Sequence, residues 1–173
     1  MRAGLAIGCV VAACFAAPLS AEEFELPARK AGQWEIRMIS EAGPMPEMVI
    51  QQCLDPATDR EMMQAGLSMS KGMCERMEMS RSGDAFIVDS TCKVSGMTTE
   101  SHVVVSGDFQ SAYTIDITSK MSGGHAGMPG SMTMRQEARW IGGSCTGGLT
   151  PGDMLMPGGM KVRPTDMMKA MGG

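Results

Sequence analysis

Aromatic residues and histidines are scarce in this chain of 173 residues, which has two Trp, one Tyr, four Phe and two His. So few rings do not supply the stacking platforms on which single-stranded nucleic acids bind. The 15 Lys and Arg are interspersed with 19 Asp and Glu and form no basic run. We therefore expect no nucleic acid among the partners of this protein.

Apolar runs long enough to span a membrane are also missing. The longest, residues 3–17, is too short for a spanning helix, but it follows a positive start and leads to small residues ending at Ala21. This order is typical of a secretory signal peptide, so we predict that residues 1–21 are cleaved on export. The stretch Val11-Ala12-Ala13-Cys14 offers an alternative, in which Cys14 is lipidated and anchors the protein. In either case we expect no membrane span.

The chain has no C-x-x-C motif, which argues against a zinc site or a redox-active pair. After removal of the signal, Cys53, Cys74, Cys92 and Cys145 remain, and an even number in an exported domain predicts two disulfides. Cys74 and Cys92 are equidistant from Gly83, the turn of a hairpin pattern, so antiparallel pairing places them opposite each other. Cys53 is then left to pair with Cys145.

Apolar and polar residues alternate with period two along several segments, which predicts strands with one buried face. The clearest segment is 97–118, folded about Gly107, and residues 33–40 and 132–141 repeat the pattern. The apolar face of 97–118 consists of Met97, Val103, Val105, Phe109, Tyr113, Ile115 and Ile117. In the hairpin about Gly83, we expect Met77, Met79 and Ile87 on one face and Phe86 and Val88 on the other.

One short helix is predicted between residues 33–40 and the hairpin about Gly83. Asp55 suits its N-cap, Pro56 its first position and Gly66 its end, and we expect it to cover an open end or an edge of the sheet. The predicted fold class is mainly β: an antiparallel meander of about six strands, curled into a cup or small barrel. This domain covers residues 30–145, and residues 146–173, rich in Gly, Pro and Met, are predicted to form a flexible tail.

Short motifs occur in a fixed order: Gly32-Gln33-Trp34-Glu35, Gln52-Cys53-Leu54, two Ser-Gly-Asp turns and Gly142-Gly143-Ser144-Cys145. Together they resemble the exported proteobacterial family called domain of unknown function 3617, over residues 30–145. A Met- and Pro-rich loop such as Met45-Pro46-Glu47-Met48 is also typical of its members. The resemblance implies a periplasmic location in the Gram-negative envelope and no established activity, and it transfers no catalytic residue.

Methionine is abundant, with 21 residues. Thioethers are soft ligands suited to Cu(I), so a soft-metal site is an alternative hypothesis for the function. Its candidate ligands, in or beside loops, are Met45, Met48, His125, Met128, Met132 and Met134. The structural interpretation is that methionine fills irregular core space. We predict no cofactor and commit to no metal.

A cup with a Met-lined interior can hold an apolar small molecule, unless its own side chains fill it. No enzyme is predicted, because His102 falls on a polar strand face and His125 in a glycine-rich loop, without a nucleophile motif. We therefore expect a non-enzymatic protein that binds an apolar small ligand or maintains the cell envelope.

Overall fold

A computed structural model of the chain describes residues 26–40, 46–123 and 130–170, except for the side chain of Met168. The predicted signal peptide and Cys14 lie outside these described residues. The same holds for Met45, His125 and Met128, three of the candidate metal ligands.

Nine strands form one sheet within the described residues, and every strand pairing is antiparallel. The strands are β1 (Gly32–Ser40), β2 (Met48–Leu54), β3 (Cys74–Ser82), β4 (Ala85–Val94), β5 (Met97–Gly107), β6 (Ala112–Ser122), β7 (Ser131–Gly142), β8 (Met154–Leu155) and β9 (Lys161–Val162). The helices are α1 (Pro56–Met73) and α2 (Pro164–Ala170). The strand order is β3-β4-β5-β6-β7-β1-β2-β8-β9, and the sheet curls without closing. The mainly β, antiparallel fold is confirmed, and its shape is the cup rather than the barrel.

The register of β5 and β6 gives the predicted apolar face. Val105 lies opposite Ile115 and Val103 opposite Ile117, so the four side chains share one face of the sheet. We predicted a turn centred at Gly107. The observed turn lies further along the chain, because Gly107 itself pairs with Tyr113. This error did not change the face, since the observed turn still pairs odd-numbered residues with odd-numbered residues.

The β3–β4 hairpin corrects one predicted face. A two-residue turn at Gly83–Asp84 pairs odd-numbered with even-numbered residues, so Met79 lies opposite Val88 and not opposite Ile87. The prediction that separated Met79 from Val88 and Phe86 was therefore wrong. The apolar face of this hairpin holds Met77, Met79, Phe86 and Val88.

Both disulfides have the predicted pairing. A bulge between Cys74 and Arg76 shifts the β3–β4 register by one residue and brings Cys74 opposite Cys92, to which it is bonded. Cys53 of β2 is bonded to Cys145, which follows β7, across 92 residues of sequence. Cys53 lies just before α1 and Cys74 directly after it, so a disulfide fixes each end of the helix to the sheet.

The core lies against one face of the sheet, which we call the inner face, and the opposite face is the outer face. Its buried residues come from β1, β2, β4, β5, β6, β7 and the β5–β6 turn. They are Trp34, Ile36, Ile50, Leu54, Phe86, Val105, Phe109, Tyr113 and Ala138. The ring of Tyr113 stacks on Phe109 with centroids 5.3 Å apart and meets Trp34 at 5.4 Å. Four of the five aromatic residues in the described part of the chain are thus in the core.

Helix α1 begins as predicted, with Asp55 and Thr58 forming a capping box. It continues through Gly66 to Met73, because a glycine costs a helix only about 1 kcal/mol and packing on the inner face offsets that cost. The helix connects β2 to β3, which are six strand positions apart. Met62 of the helix packs against the buried core residues, and the helix also contacts β3 and β4. Helix α1 therefore crosses the inner face. The prediction that it covers an open end or an edge of the sheet was wrong.

Residues 146–170 differ from the predicted flexible tail, because they contain β8, β9 and α2 and pack on β2. The backbone of Cys53 donates to Asp153 O at 3.0 Å and accepts from Gly152 N at 2.9 Å. The buried Asp153 carboxylate accepts from Thr150 N and Oγ1 and from the guanidinium of Arg163. These polar contacts, which follow no sequence periodicity, join the segment to the domain.

Gly32 is the position where we expect a single methyl group to be most harmful. Its φ is +126°, and an added Cβ would overlap the carbonyl oxygen of Gly142. We expect Gly32→Ala to lower the free energy of unfolding by about 2 kcal/mol or more, as measured by urea denaturation. Gly66→Ala is the matched control, because open space surrounds that Cβ in the middle of α1. It should raise the stability by about 0.5–1 kcal/mol, and equal effects of the two substitutions would contradict this account.

The Asp153 carboxylate should make the stability of the protein sensitive to acid. Its pKa lies below the ordinary value, first because the backbone N–H of Thr150 donates to it, although burial acts in the opposite direction. A pKa that is lower in the folded than in the unfolded chain stabilises fully above about pH 4, and this contribution is lost as the pH falls further. We expect Asp153→Asn to lower the urea midpoint at pH 7. Between pH 5 and pH 2, the variant should lose less stability than the wild type does. A variant as stable as the wild type at pH 7 would contradict this assignment.

Candidate functional site

A cleft separates the first half of α1 from the inner face of β5 and β6, and we call it the α1 cleft. Met62 and Met63 of the helix face Val105 and Ile115 of the sheet across a volume of about 250 Å³. The other residues of its wall are Leu26, Pro27, Arg29, Asp59, Phe109 and Tyr113. The α1 cleft is thus apolar except for one charged corner.

The apolar surface of the inner face continues past this cleft. One side chain from each of β3 to β7 stands in a single cross-strand row, in which neighbours lie directly opposite each other. This apolar row consists of Met79, Val88, Val103, Ile117 and Met134, and each of them is half-buried. The next row, which we call the polar row, has Ser90, Ser101 and Ser119 between Met77 and Met132 at its ends, and the hydroxyls of Ser101 and Ser119 are hydrogen-bonded at 2.8 Å. Helix α1 therefore covers only part of the apolar inner face.

The polar corner of the α1 cleft is built around an ion pair between Arg29, which precedes β1, and Asp59 of α1. Arg29 Nε and Nη2 each lie 2.7 Å from Asp59 Oδ1, and the backbone N of Arg29 donates to Oδ2 at 3.0 Å. Arg29 Nη1 also donates to Gln52 Oε1 and to Tyr113 Oη, at 2.9 and 3.1 Å. Asp59 is only 2% exposed, whereas 18% of the Arg29 side chain is accessible. The corner therefore joins the N-terminal segment, α1, β2 and β6.

Burial of Arg29 by itself would lower the pKa of its guanidinium. The interactions with Tyr113 and Asp59 outweigh that effect and raise the pKa above its ordinary value. Arg29 therefore stays charged in the cleft, and the Asp59 carboxylate, with three donor contacts, compensates that charge.

The sequence analysis did not identify this corner, although two signals for it exist. Gln52 occupies an inward position between Ile50 and Leu54, where the strand pattern calls for an apolar residue. Asp59 precedes Met62 and Met63 by three and four residues, so it lies on the same face of the helix as these two apolar side chains. A polar residue in an apolar pattern was the available indication of a buried contact.

The candidate metal ligands do not converge among the described residues. Met132 and Met134 are half-buried on the inner face of β7, whereas Met48 is 38% exposed on β2, and β1 separates the two strands. Met45, His125 and Met128 lie outside the described residues. Within the described part, no group of three or more His, Cys, Asp and Glu side chains is arranged to hold a metal ion. Of the three candidates within the described residues, only Met132 and Met134 are neighbours.

The outer face has a larger hollow, of about 640 Å³, but its lining is of a different kind. Glu35 lies there 3.1 Å from Arg139, and Arg37 makes an ion pair with Glu47. An apolar ligand would have to strip water from these charges without replacing their hydration. His102, also on the outer face, contacts Asp89 at 2.7 Å, and both side chains are half-exposed, as is typical of a solvated pair.

Fold and site together define a class: an open antiparallel sheet, fixed by two disulfides, with a helix across its apolar face and a cleft beneath that helix. The family model described as Protein of unknown function (DUF3617) matches residues 29–145, so the chain belongs to that family. Comparisons with curated proteins and with solved structures found no match. Neither helix of the described residues is long and apolar enough to cross a membrane.

Removing one member of the ion pair of the polar corner should destabilise the protein more than replacing both members with apolar residues. We expect Asp59→Ala to lower the free energy of unfolding by about 3 kcal/mol, because it leaves the Arg29 guanidinium buried without a counter-charge. The double variant Arg29→Met/Asp59→Leu should recover at least half of that loss in urea denaturation. If the double variant is no more stable than Asp59→Ala, the buried charge is not the cause of the loss.

Proposed function

We propose that this protein is a non-enzymatic binding protein of the periplasm, which holds an apolar small molecule in the α1 cleft. The ligand lies between Met62 and Met63 of the helix and Val105 and Ile115 of the sheet. Its end extends over the apolar row. A role in maintaining the cell envelope, where such molecules occur, follows from this activity and this location.

The observation that carries the proposal is the α1 cleft, whose apolar wall continues into the partly buried apolar row. Apolar surface that lines a pocket together with a few polar groups is typical of small-molecule sites, whereas single exposed apolar residues are ordinary. Each square ångström of it that a ligand covers contributes about 25 cal/mol. Methionines on the helical wall support the same proposal, because their flexible side chains adapt to ligands of different shape.

The periplasmic location is supported by two independent features. Disulfides persist in oxidising compartments, and this domain has two, one at each end of α1. The first 21 residues have the layout of a signal peptide for export.

Binding is favoured over catalysis by the chemistry of the polar corner. Arg29 and Asp59 neutralise each other, and Gln52 donates its amide to Met62 Sδ at 3.1 Å while accepting from Arg29. Groups that are engaged with one another orient a ligand well, but they offer neither a nucleophile nor a base poised for proton transfer.

The proposal is tested by filling the α1 cleft with a larger side chain. The apolar fluorophore N-phenyl-1-naphthylamine serves as the probe, and its binding is followed by the rise in its emission. We expect Met63→Trp to weaken binding about tenfold or more, since the indole would occupy the cleft. Met69→Trp is the matched control, because Met69 is 45% exposed on the same helix and does not line the cleft.

Equal binding by the two tryptophan variants would refute the location of the site. Absence of saturable binding by the wild type, together with no retained small molecule in native mass spectra of protein purified from the periplasm, would refute the function itself.

A further inference from the structure

The polar corner of the α1 cleft has hydrogen-bond donors that its own residues do not use. Tyr113 Oη accepts a hydrogen bond from Arg29, so its own proton is available to another acceptor, and the described residues provide none. The guanidinium of Arg29 has five N–H groups, and its four contacts with Asp59, Gln52 and Tyr113 leave one on Nη2. One donor of Tyr113 and one of Arg29 therefore remain for a ligand oxygen at this corner of the cleft.

The charge of the corner restricts which oxygen can be accepted. Asp59 cancels the charge of Arg29 at 2.7 Å, so an incoming anion gains no net attraction. A buried carboxylate would therefore lose its hydration in this poorly solvated site without a free positive charge to compensate the loss. An uncharged hydroxyl or carbonyl oxygen accepts the same two hydrogen bonds and loses much less hydration.

We propose that the α1 cleft selects neutral amphiphiles, with an alcohol or ester oxygen held by Arg29 and Tyr113, and rejects carboxylates of the same chain length. This selectivity rests on the proposed function, since it concerns the same cleft. Its distinct content is the role of Asp59, which makes the corner neutral.

The length of the apolar surface indicates the size of the ligand. From Tyr113 to Ile117, the inner face of β6 is apolar over about 13 Å, the length of an extended chain of roughly ten carbons. Ser119, one position further on that face, belongs to the polar row. A ten-carbon chain whose oxygen lies at the corner therefore ends where the apolar surface ends.

The test compares 1-decanol with decanoate at pH 7.4, both as competitors that displace N-phenyl-1-naphthylamine from the wild-type protein. The two probes share their carbon chain and differ in the charge of the oxygen. We expect 1-decanol to bind at least about tenfold more tightly than decanoate. Equal affinities, or tighter binding of decanoate, would overturn the selectivity and leave the binding function standing, whereas displacement by neither would refute both.

Two variants locate the cause of the selectivity. Asp59→Asn removes the negative charge and should raise the ratio of decanoate affinity to 1-decanol affinity about tenfold over the wild type. Tyr113→Phe removes one hydrogen-bond donor and should weaken the binding of 1-decanol about fivefold. Thr114→Val is the control for Tyr113→Phe, because it removes the neighbouring hydroxyl on the outer face, where it bonds Ser106 at 2.8 Å. If Asp59→Asn does not fold, the Tyr113→Phe and Thr114→Val pair still decides: equal affinities for 1-decanol would overturn the assignment of the oxygen site.

Discussion

The rest of the structure depends on one constraint: α1 must cross the inner face of the sheet from β2 to β3. The buried core of the strands lies against that face, and the helix is the element that covers it. The crossing is held at both ends, because Cys53 and Cys74 flank the helix and are bonded to Cys145 and Cys92. Between these points Arg29 holds Asp59 of the helix to the segment before β1. The helix leaves the side chains of the apolar row only partly buried, and the α1 cleft lies beside that row, between the helix and the core.

The residues that carry the family resemblance have structural roles here. Gly32 leaves room for the Gly142 carbonyl, and Trp34 is fully buried with its indole N–H donated to the backbone of Lys30. The buried Gln33 side chain accepts two hydrogen bonds from Thr146, just after the last cysteine. These motifs therefore specify how the first strand is held in the sheet. The charged corner of the cleft lies largely outside them, so membership in the family and the proposed ligand are separate matters.

Strands, faces and disulfides could be predicted because period-two alternation and symmetric cysteine spacing are local properties of the chain. The hairpin of β3 and β4 shows the limit of this approach. The turn at Gly83–Asp84 places Met79 on the same face as Val88, which the alternation did not predict. The disulfide prediction was still right, because a bulge after Cys74 brings it opposite Cys92. The extent of α1 could not be read from Gly66, because packing against distant strands decides where a helix ends. The Arg29–Asp59 pair joins residues 30 positions apart, and no sequence period marks such a contact.

The most direct measurement of the central claim is the contact between a bound chain and the methyl groups of the protein. Nuclear Overhauser effects from saturating 1-decanol to methyl-labelled Met, Ile and Val residues report on both faces of the sheet. The account predicts contacts from the decanol chain to Met63 and Ile115, and none to Ile87 or Val104 on the outer face. Contacts confined to Ile87 and Val104, or none on either face, would contradict it.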